Sequence, residues 1–267
     1  MTPPEPPPEP GPEPEPPSAS VSPATVWPSL SSQAVRRTDV ATGVTVAVLV
    51  LANLTNNRWA HGWGLLTAAV TIAVLLAVVR WAGAPWAEVT GLTRASLPRG
   101  ARWALTIVGA IAAVYLVGAL LPLTRDLFAD QRTDTLSGGA VALRVLVDVP
   151  LGTVLLEEFA FRGVLYGLVG RAHGTVPATA VSSVLFGLWH ILPSLHLATA
   201  KPALTPIFGN SVLGAVLADA GAVLFTALSG VVFCELRRRS GSLLAPMGLH
   251  WATNALGYIA AYLIVHP

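Results

Sequence analysis

The sequence predicts an all-α polytopic membrane protein, a bundle of about seven transmembrane helices with an internal polar cavity. Of its 267 residues, 53% are hydrophobic and 11% are charged, whereas a soluble domain carries about 25% charged residues. Long apolar runs recur along the chain, and about 20 apolar residues cross a bilayer core as one helix. The cavity is predicted because ionisable residues interrupt three of these runs, where each needs a polar partner.

The N-terminal segment 1–35 is predicted to be a disordered, Pro- and Glu-rich cytoplasmic tail. Twelve of the 22 prolines and four of the 14 acidic residues fall within residues 1–30. Such a composition offers too little apolar surface to form a core and favours extended, polyproline-like conformations. The segment is also too long and too rich in proline for the charged start of a cleaved signal peptide.

Seven spans account for most of the remaining chain. The region 36–139 is predicted to hold the N-terminal transmembrane helices and an interfacial linker, residues 81–100. The region 140–267 is predicted to form the helical core that carries the candidate site. The seven spans are predicted at 40–55, 62–80, 102–122, 142–169, 177–192, 211–234 and 243–265.

The positions of the basic residues predict the orientation in the membrane. With the N-terminus in the cytoplasm, ten of the 16 basic residues flank the spans on the inside, five flank them on the outside, and Arg162 lies within a span. Cytoplasmic loops carry an excess of Lys and Arg, so we predict an integral protein of the plasma (inner) membrane with a cytoplasmic N-terminus. The cations do not form one patch, so the lipid bilayer is the expected partner and nucleic acid is not.

The fourth span contains two adjacent carboxylates in the run GTVLLEEFAFRGVL. Arg162 follows Glu158 by four residues, so these two side chains share a helix face and can form an ion pair. Glu157 lies about 100° around the helix from Glu158 and has no obvious local partner. A purely structural ion-pair network therefore accounts for Glu158 and Arg162 but leaves Glu157 unexplained.

The fifth and seventh spans add further polar side chains at helical spacing. Phe186 and His190 are four residues apart in the fifth span, and His250 and Asn254 are four apart in the seventh. A lone histidine in an apolar helix is usually a packing residue. Here, however, three spans each carry polar side chains that need hydrogen-bond partners, and the simplest arrangement places all of them around one shared polar cavity.

The three motifs, in this order, resemble those of the CPBP family, the CAAX prenyl protease and bacteriocin-processing (Abi-type) membrane proteins. The family pattern is EExxxR, then FxxxH, then HxxxN or HxxxD, on three helices. The resemblance covers about residues 140–265, while residues 1–139 resemble no family. All seven motif positions are present: Glu157, Glu158, Arg162, Phe186, His190, His250 and Asn254.

The resemblance implies a helical membrane bundle with a conical cavity that hydrolyses peptides within the membrane. The family's best-known member, the Ras-converting CAAX endopeptidase, cleaves prenylated C-termini, so a membrane-associated peptide or protein substrate, prenylated or not, is implied here. If each motif position has the role it has in the family, Glu157 is the catalytic carboxylate, and His190 orients the water. His250 and Asn254 hold the oxyanion. The supporting residues are Glu158, Arg162 and Phe186.

These residue types suit peptide hydrolysis, which requires an activated water and hydrogen-bond donors for the developing oxyanion. No cofactor is expected in this mechanism. The alternative is zinc, because Glu157, His190 and His250 form a two-histidine, one-carboxylate set. The sequence contains no HExxH motif, so spacing does not decide between the two.

Two other functions remain open at the level of the sequence. The first is a non-catalytic membrane scaffold or bacteriocin self-immunity protein of the same family, in which the polar network only maintains the fold. The second is a small-solute transporter that uses Asp219 and the Glu pair as a proton relay. No internal repeat is visible, which counts against a transporter built from inverted repeats.

Overall fold

A computed structural model describes residues 27, 29–60, 62–128, 130, 133–195, 205–209 and 211–266. The predicted tail therefore lies largely outside the described residues. The regular elements within these ranges are all helical, as predicted. We number the main helices α1 Ser32–Leu54, α2 Gly64–Ala82, α3 Trp86–Thr90, α4 Leu97–Leu120, α5 Pro122–Arg125, α6 Gly138–His173, α7 Thr175–Trp189, α8 Ile191–Ser194, α9 Thr205–Phe208, α10 Val212–Ser240 and α11 Leu244–Val265.

Six helical segments among the described residues are long and apolar enough to cross a membrane. They are Ser32–Trp59, Gly64–Ala82, Leu97–Leu120, Gly138–His173, Thr175–Ser194 and Val212–Ser240. Each corresponds to one of the first six predicted spans, so the polytopic membrane class is confirmed. The count of seven is not confirmed, because the seventh predicted span forms α11, which is not among the six.

Large apolar side chains cover the outer faces of these helices. Leu105 and Leu120 of α4 are 72% exposed, and Phe225 of α10 is 69% exposed. Soluble proteins rarely expose contiguous apolar surface of this extent, whereas lipid tails solvate it. The outward faces therefore agree with a protein surrounded by a bilayer.

Helix α6 lies at the centre of the bundle and contains two wide-turn stretches. Its segments Arg144–Val154 and Glu158–Leu165 are π-helical. The N–H of Leu155 bonds to the carbonyl of Pro150, five residues earlier. Proline lacks an N–H and disrupts the usual i→i−4 pattern, and the wide turn carries the helix past it. Such π segments often occur at functional sites, and here the second one begins at Glu158.

The other helices approach α6 and one another through small residues. α10 packs along α7, and α11 packs along α4. A Cβ added to Gly187 of α7 would lie 2.7 Å from the Cβ of Ala227 in α10, and one added to Gly248 would lie 2.8 Å from the Cβ of Ala104 in α4. Small residues at membrane helix interfaces allow this close backbone approach.

One end of the bundle gathers the segments that were predicted to be cytoplasmic. Arg171, at the end of α6, pairs with Glu88 of α3, and Arg237 of α10 donates to the Glu88 carbonyl at 3.1 Å. His173 Nε2 lies 2.7 Å from Asp39 Oδ1 of α1. These contacts fix the helix ends to one another, while the direction of the bundle across the membrane stays a prediction.

The folded part of the chain begins earlier than the predicted boundary at residue 35. Helix α1 starts at Ser32, and Trp27 packs against the end of α6. Its indole N–H donates to Thr175 Oγ1 at 3.1 Å, and its ring centroid lies 6.0 Å from that of Tyr166. A Cβ on Gly170 would overlap the Trp27 ring, so the ring occupies the space beside a glycine. The sequence alone did not indicate this contact.

Truncation should separate Trp27 from the residues before it. Removing residues 2–26 should leave thermal unfolding unchanged, because that composition has little apolar surface to bury. Removing residues 2–30, or the change Trp27→Ala, should lower the free energy of unfolding by about 1–2 kcal/mol, since a half-buried aromatic side chain loses its contacts. Unfolding midpoints of the purified proteins in detergent measure the difference. Equal midpoints for the two truncations would contradict a packing role for Trp27.

Candidate active site

The buried centre of the site joins Glu158 and Arg162 of α6 to His250 of α11. Glu158 and Arg162 are both fully buried, and Oε1 of Glu158 lies 3.2 Å from Nη1 of Arg162. The same oxygen lies 2.8 Å from Nδ1 of His250, whose N–H donates a hydrogen bond to the carboxylate. The ion pair that the sequence predicted is therefore extended by a third member from another helix.

Glu157 lies beside this centre and is 7% exposed. Its Oε1 accepts a hydrogen bond from the indole N–H of Trp189 at 3.0 Å. Its Oε2 lies 3.8 Å from Nε2 of His250 and 4.0 Å from Nε2 of His190. Among the described residues, this buried oxygen has no hydrogen-bond partner. One carboxylate oxygen is thus held, while the other faces two imidazole nitrogens.

His190 follows the last residue of α7, where the chain leaves the helix. Its Nδ1 lies 2.8 Å from the carbonyl oxygen of Phe186, and its side chain is 22% exposed. Because the Nδ1 proton goes to that carbonyl, Nε2 is the acceptor nitrogen in the neutral ring. The Phe186 ring lies edge-on to the imidazole at a centroid distance of 4.6 Å. The FxxxH motif therefore fixes both the tautomer and the position of the ring.

Aromatic rings enclose the guanidinium of Arg162. Its Cζ lies 3.8 Å from the ring centroid of Phe186 and 4.5 Å from that of Phe233 in α10. Phe233 also stacks on His250, with centroids 5.5 Å apart and an interplanar angle of 24°. Cation–π contacts attract a desolvated cation, so these rings compensate part of the cost of burying Arg162. Phe186 and Arg162 are therefore in contact at the site, and the supporting role that the resemblance implies for them stays a prediction.

A cavity of about 450 Å³ opens beside Glu157. Glu157, His190 and Asn254 line it, together with Tyr115 and Tyr258. His250 is 5% exposed and is not part of the cavity wall, although it contacts both carboxylates. The structure therefore places three of the four predicted catalytic residues in the lining of the cavity and the fourth, His250, in the buried centre next to Glu157.

Several residues at the site carried no signal in the three motifs. Trp189 immediately precedes His190, and only its contact with Glu157 distinguishes it from the other tryptophans. Phe233 lies in an apolar stretch of α10 without a polar marker. Asn56 and Asn57 also line the cavity, and the only sequence signal for them is the occurrence of three asparagines, Asn53, Asn56 and Asn57, at the end of the first predicted span.

The donor types at Glu157, His190 and His250 suit zinc, but their side chains lie further apart than in a closed tetrahedral site. The 3.8 and 4.0 Å separations exceed the distance of about 3.4 Å between ligands of a tetrahedral zinc ion. No group of three or more His, Cys, Asp or Glu residues within the described ranges could hold a metal ion. The mechanism proposed for this protein contains no step through a metal.

A carboxylate and two imidazoles that meet inside a helical membrane bundle, next to a cavity, are residue types that can catalyse peptide hydrolysis. A family model described as "Type II CAAX prenyl endopeptidase Rce1-like" matches residues 139–256, a range that contains all seven motif positions. The resemblance to the CAAX protease family that the motifs indicated is confirmed over this part of the chain. The match supports a CAAX-type intramembrane endopeptidase in general terms. No match was found among curated proteins or solved structures.

Proposed function

We propose that this protein is an intramembrane endopeptidase in which Glu157 activates a water molecule for attack on a substrate peptide bond. The observation that carries the proposal is Oε2 of Glu157. It is buried, has no partner among the described residues, and lies 4.0 Å and 3.8 Å from Nε2 of His190 and His250. A carboxylate oxygen that lies beside an open cavity and has no structural partner is available as a general base.

In this mechanism, Oε2 of Glu157 takes a proton from the water as the water oxygen bonds to the peptide carbonyl carbon. Nε2 of His190 accepts the second hydrogen of the same water and thereby orients it. When the C–N bond breaks, the proton on Glu157 passes to the leaving amine. Trp189 keeps Oε1 occupied, so Oε2 is the oxygen available for both transfers.

Asn254 is the principal donor for the oxyanion in this proposal. Its side-chain amide carries N–H donors in every protonation state, and the residue lines the cavity with Glu157 and His190. His250 donates its Nδ1 proton to Glu158, so its Nε2 can donate only when the ring is doubly protonated. His250 therefore adds to oxyanion stabilisation as an imidazolium and otherwise accepts a hydrogen bond at the same place.

The proposed substrate is a membrane-associated peptide or protein, and a prenyl group is one form of membrane attachment to be tested. Peptides with and without a prenylated cysteine, incorporated into proteoliposomes with the purified protein, distinguish the two cases. Hydrolysis in ¹⁸O-labelled water should place one ¹⁸O in the new carboxyl terminus. A folded protein that cleaves no member of a broad membrane-anchored peptide library would favour the scaffold alternative.

The change Asn254→Ala should lower kcat by about 100- to 1000-fold, because removing one oxyanion donor has an effect of that size in serine proteases. KM should change little, since the charge on the oxygen develops only in the transition state. Thr253→Val is the matched control, because this neighbour also lines the cavity but its hydroxyl bonds to its own helix at Leu249. Full activity of Asn254→Ala would assign Asn254 to packing.

Removal of metal provides a separate test of the Glu157 mechanism. Dialysis against a chelator should leave kcat unchanged if Glu157 activates water unaided. Loss of activity on chelation, with recovery on addition of zinc alone, would instead assign Glu157, His190 and His250 as zinc ligands. Metal content of the active protein, measured by mass spectrometry, accompanies the assay.

A further inference from the structure

We infer that Trp189 and Asn53 are positioning residues for the reaction, because together they connect helix α1 to the catalytic carboxylate. This inference rests on the proposed function. Trp189 donates its indole N–H to Oε1 of Glu157 at 3.0 Å, and Asn53 donates its side-chain amide to the main-chain carbonyl of Trp189 at 2.7 Å. Neither residue belongs to the three motifs.

The hydrogen bond from Trp189 selects which oxygen of Glu157 faces the reaction. A carboxylate on a flexible side chain can present either oxygen and several rotamers. With Oε1 held by an indole that is itself 9% exposed, Oε2 stays directed at Nε2 of His190 and His250. Catalytic groups must be held close to the productive geometry by neighbours that are themselves packed.

The packing of Trp189 allows it to act as a fixed support. Its ring lies edge-on to Phe161, with centroids 5.8 Å apart, and it stands between the polar cavity and an apolar groove lined by Leu49 and Leu185. The indole therefore has apolar neighbours on one side, while its N–H points at the carboxylate. This position suits a donor that must not rotate.

Asn53 fixes the main chain at the point where α7 ends. The carbonyl of Trp189 would normally accept from the N–H four residues later, but that residue is Pro193, which has no N–H. A buried carbonyl without a donor is costly, and Asn53, 7% exposed, supplies the missing donor across the helix interface. Pro193 thus leaves the carbonyl of Trp189 without a donor within the helix, and Asn53 of α1 donates to it instead.

Two variants test the inference in proteoliposomes. Trp189→Phe keeps a ring but removes the N–H, and Asn53→Ala removes the amide donor. We expect kcat to fall by about 10- to 100-fold for Trp189→Phe, by analogy with the loss found when residues that orient the metal-binding side chains of metalloenzymes are removed. A smaller loss is expected for Asn53→Ala. The double variant should lose less than the product of the two single effects, because both act through one carboxylate.

The readout that separates positioning from simple structural damage is the division between kcat and substrate binding. Substrate affinity, measured in the inactive Glu157→Gln background, should not change when Trp189→Phe is added. Trp251→Phe is the matched control, since Trp251 also neighbours a motif histidine but donates to the carbonyl of Val145. Thr45→Val serves the same purpose for Asn53, because its buried hydroxyl bonds within α1.

The possible failures are distinguishable. If Trp189→Phe and Asn53→Ala retain kcat within twofold while Glu157→Gln is inactive, the positioning inference is wrong and the proposed function stands. If Glu157→Gln itself retains turnover, the proposed function fails. If Trp189→Phe does not fold, Asn53→Ala decides, since a folded Asn53→Ala protein with unchanged kcat also overturns the inference.

Discussion

Replacing Glu157 by Gln is expected to abolish measurable peptide hydrolysis while leaving the protein folded. An amide cannot take a proton from water, and loss of a general base lowers rates by about 100- to 10,000-fold. Folding should survive because the Gln carbonyl still accepts from Trp189, as Oε1 of Glu157 does at 3.0 Å. Its amide can donate to Nε2 of His190 or His250, which now lie 4.0 and 3.8 Å from Oε2.

The measurement is cleavage of a membrane-anchored peptide by reconstituted protein, together with the thermal unfolding midpoint in detergent. Asp148→Asn is the matched control, because it makes the same carboxylate-to-amide change on the same helix at a residue that does not line the cavity. Activity retained in Glu157→Gln would remove Glu157 from the chemistry. A loss of folded protein equal to that of Glu158→Gln would instead assign both carboxylates to the structure.

The helical bundle could be predicted because membrane insertion leaves a strong signal in the sequence. Apolar runs and flanking arginines placed the first six spans close to the helices that form. The boundaries were less predictable, since α10 continues to Ser240, beyond the predicted end at 234, and α4 begins at Leu97, inside the predicted linker. Helix ends depend on capping and on neighbouring elements, and the hydropathy of a segment gives no information about either.

The site was predictable to the extent that buried polar groups require partners. Glu157, His190 and His250 converge because each would be unsatisfied in lipid. Which carboxylate His250 contacts was not predictable from spacing. An ideal α-helix separates Glu157 and Glu158 by about 100°, but the π-helical turn that begins at Glu158 changes the directions in which later side chains point. The first wide turn of α6 contains Pro150, but no proline lies in the second, and the sequence did not indicate it.

Aromatic residues were the least predictable part of the site. Trp189, Phe233 and Trp27 lie in sequence contexts typical of ordinary packing, and an apolar residue in an apolar helix is expected whatever its role. Only the structure shows their contacts. The indole N–H of Trp189 donates to Glu157, the Phe233 ring lies over Arg162, and the Trp27 ring lies against Gly170. Motifs built from polar residues therefore identify the chemistry but omit the groups that hold it in place.

Replacing Glu158 by Gln is expected to destabilise the protein strongly, in contrast to the change at Glu157. Glu158 is fully buried, and one of its oxygens contacts both Arg162 at 3.2 Å and His250 at 2.8 Å. A neutral amide would leave the guanidinium without its ion-pair partner in an apolar interior. Removing one member of a buried pair costs about 3–5 kcal/mol, and the rings of Phe186 and Phe233 compensate only part of that cost.

The measurement is the unfolding midpoint and the yield of folded protein for Glu158→Gln and Arg162→Met, and for the two changes combined. Each single change leaves one charge buried and unpaired, whereas the double change removes both charges. Replacing a whole buried pair by neutral or apolar groups is often close to neutral for stability, so the double variant should be more stable than either single variant. If the two losses simply add, Glu158 and Arg162 do not act as a pair. The buried network would then be held mainly by the contact between Glu158 of α6 and His250 of α11.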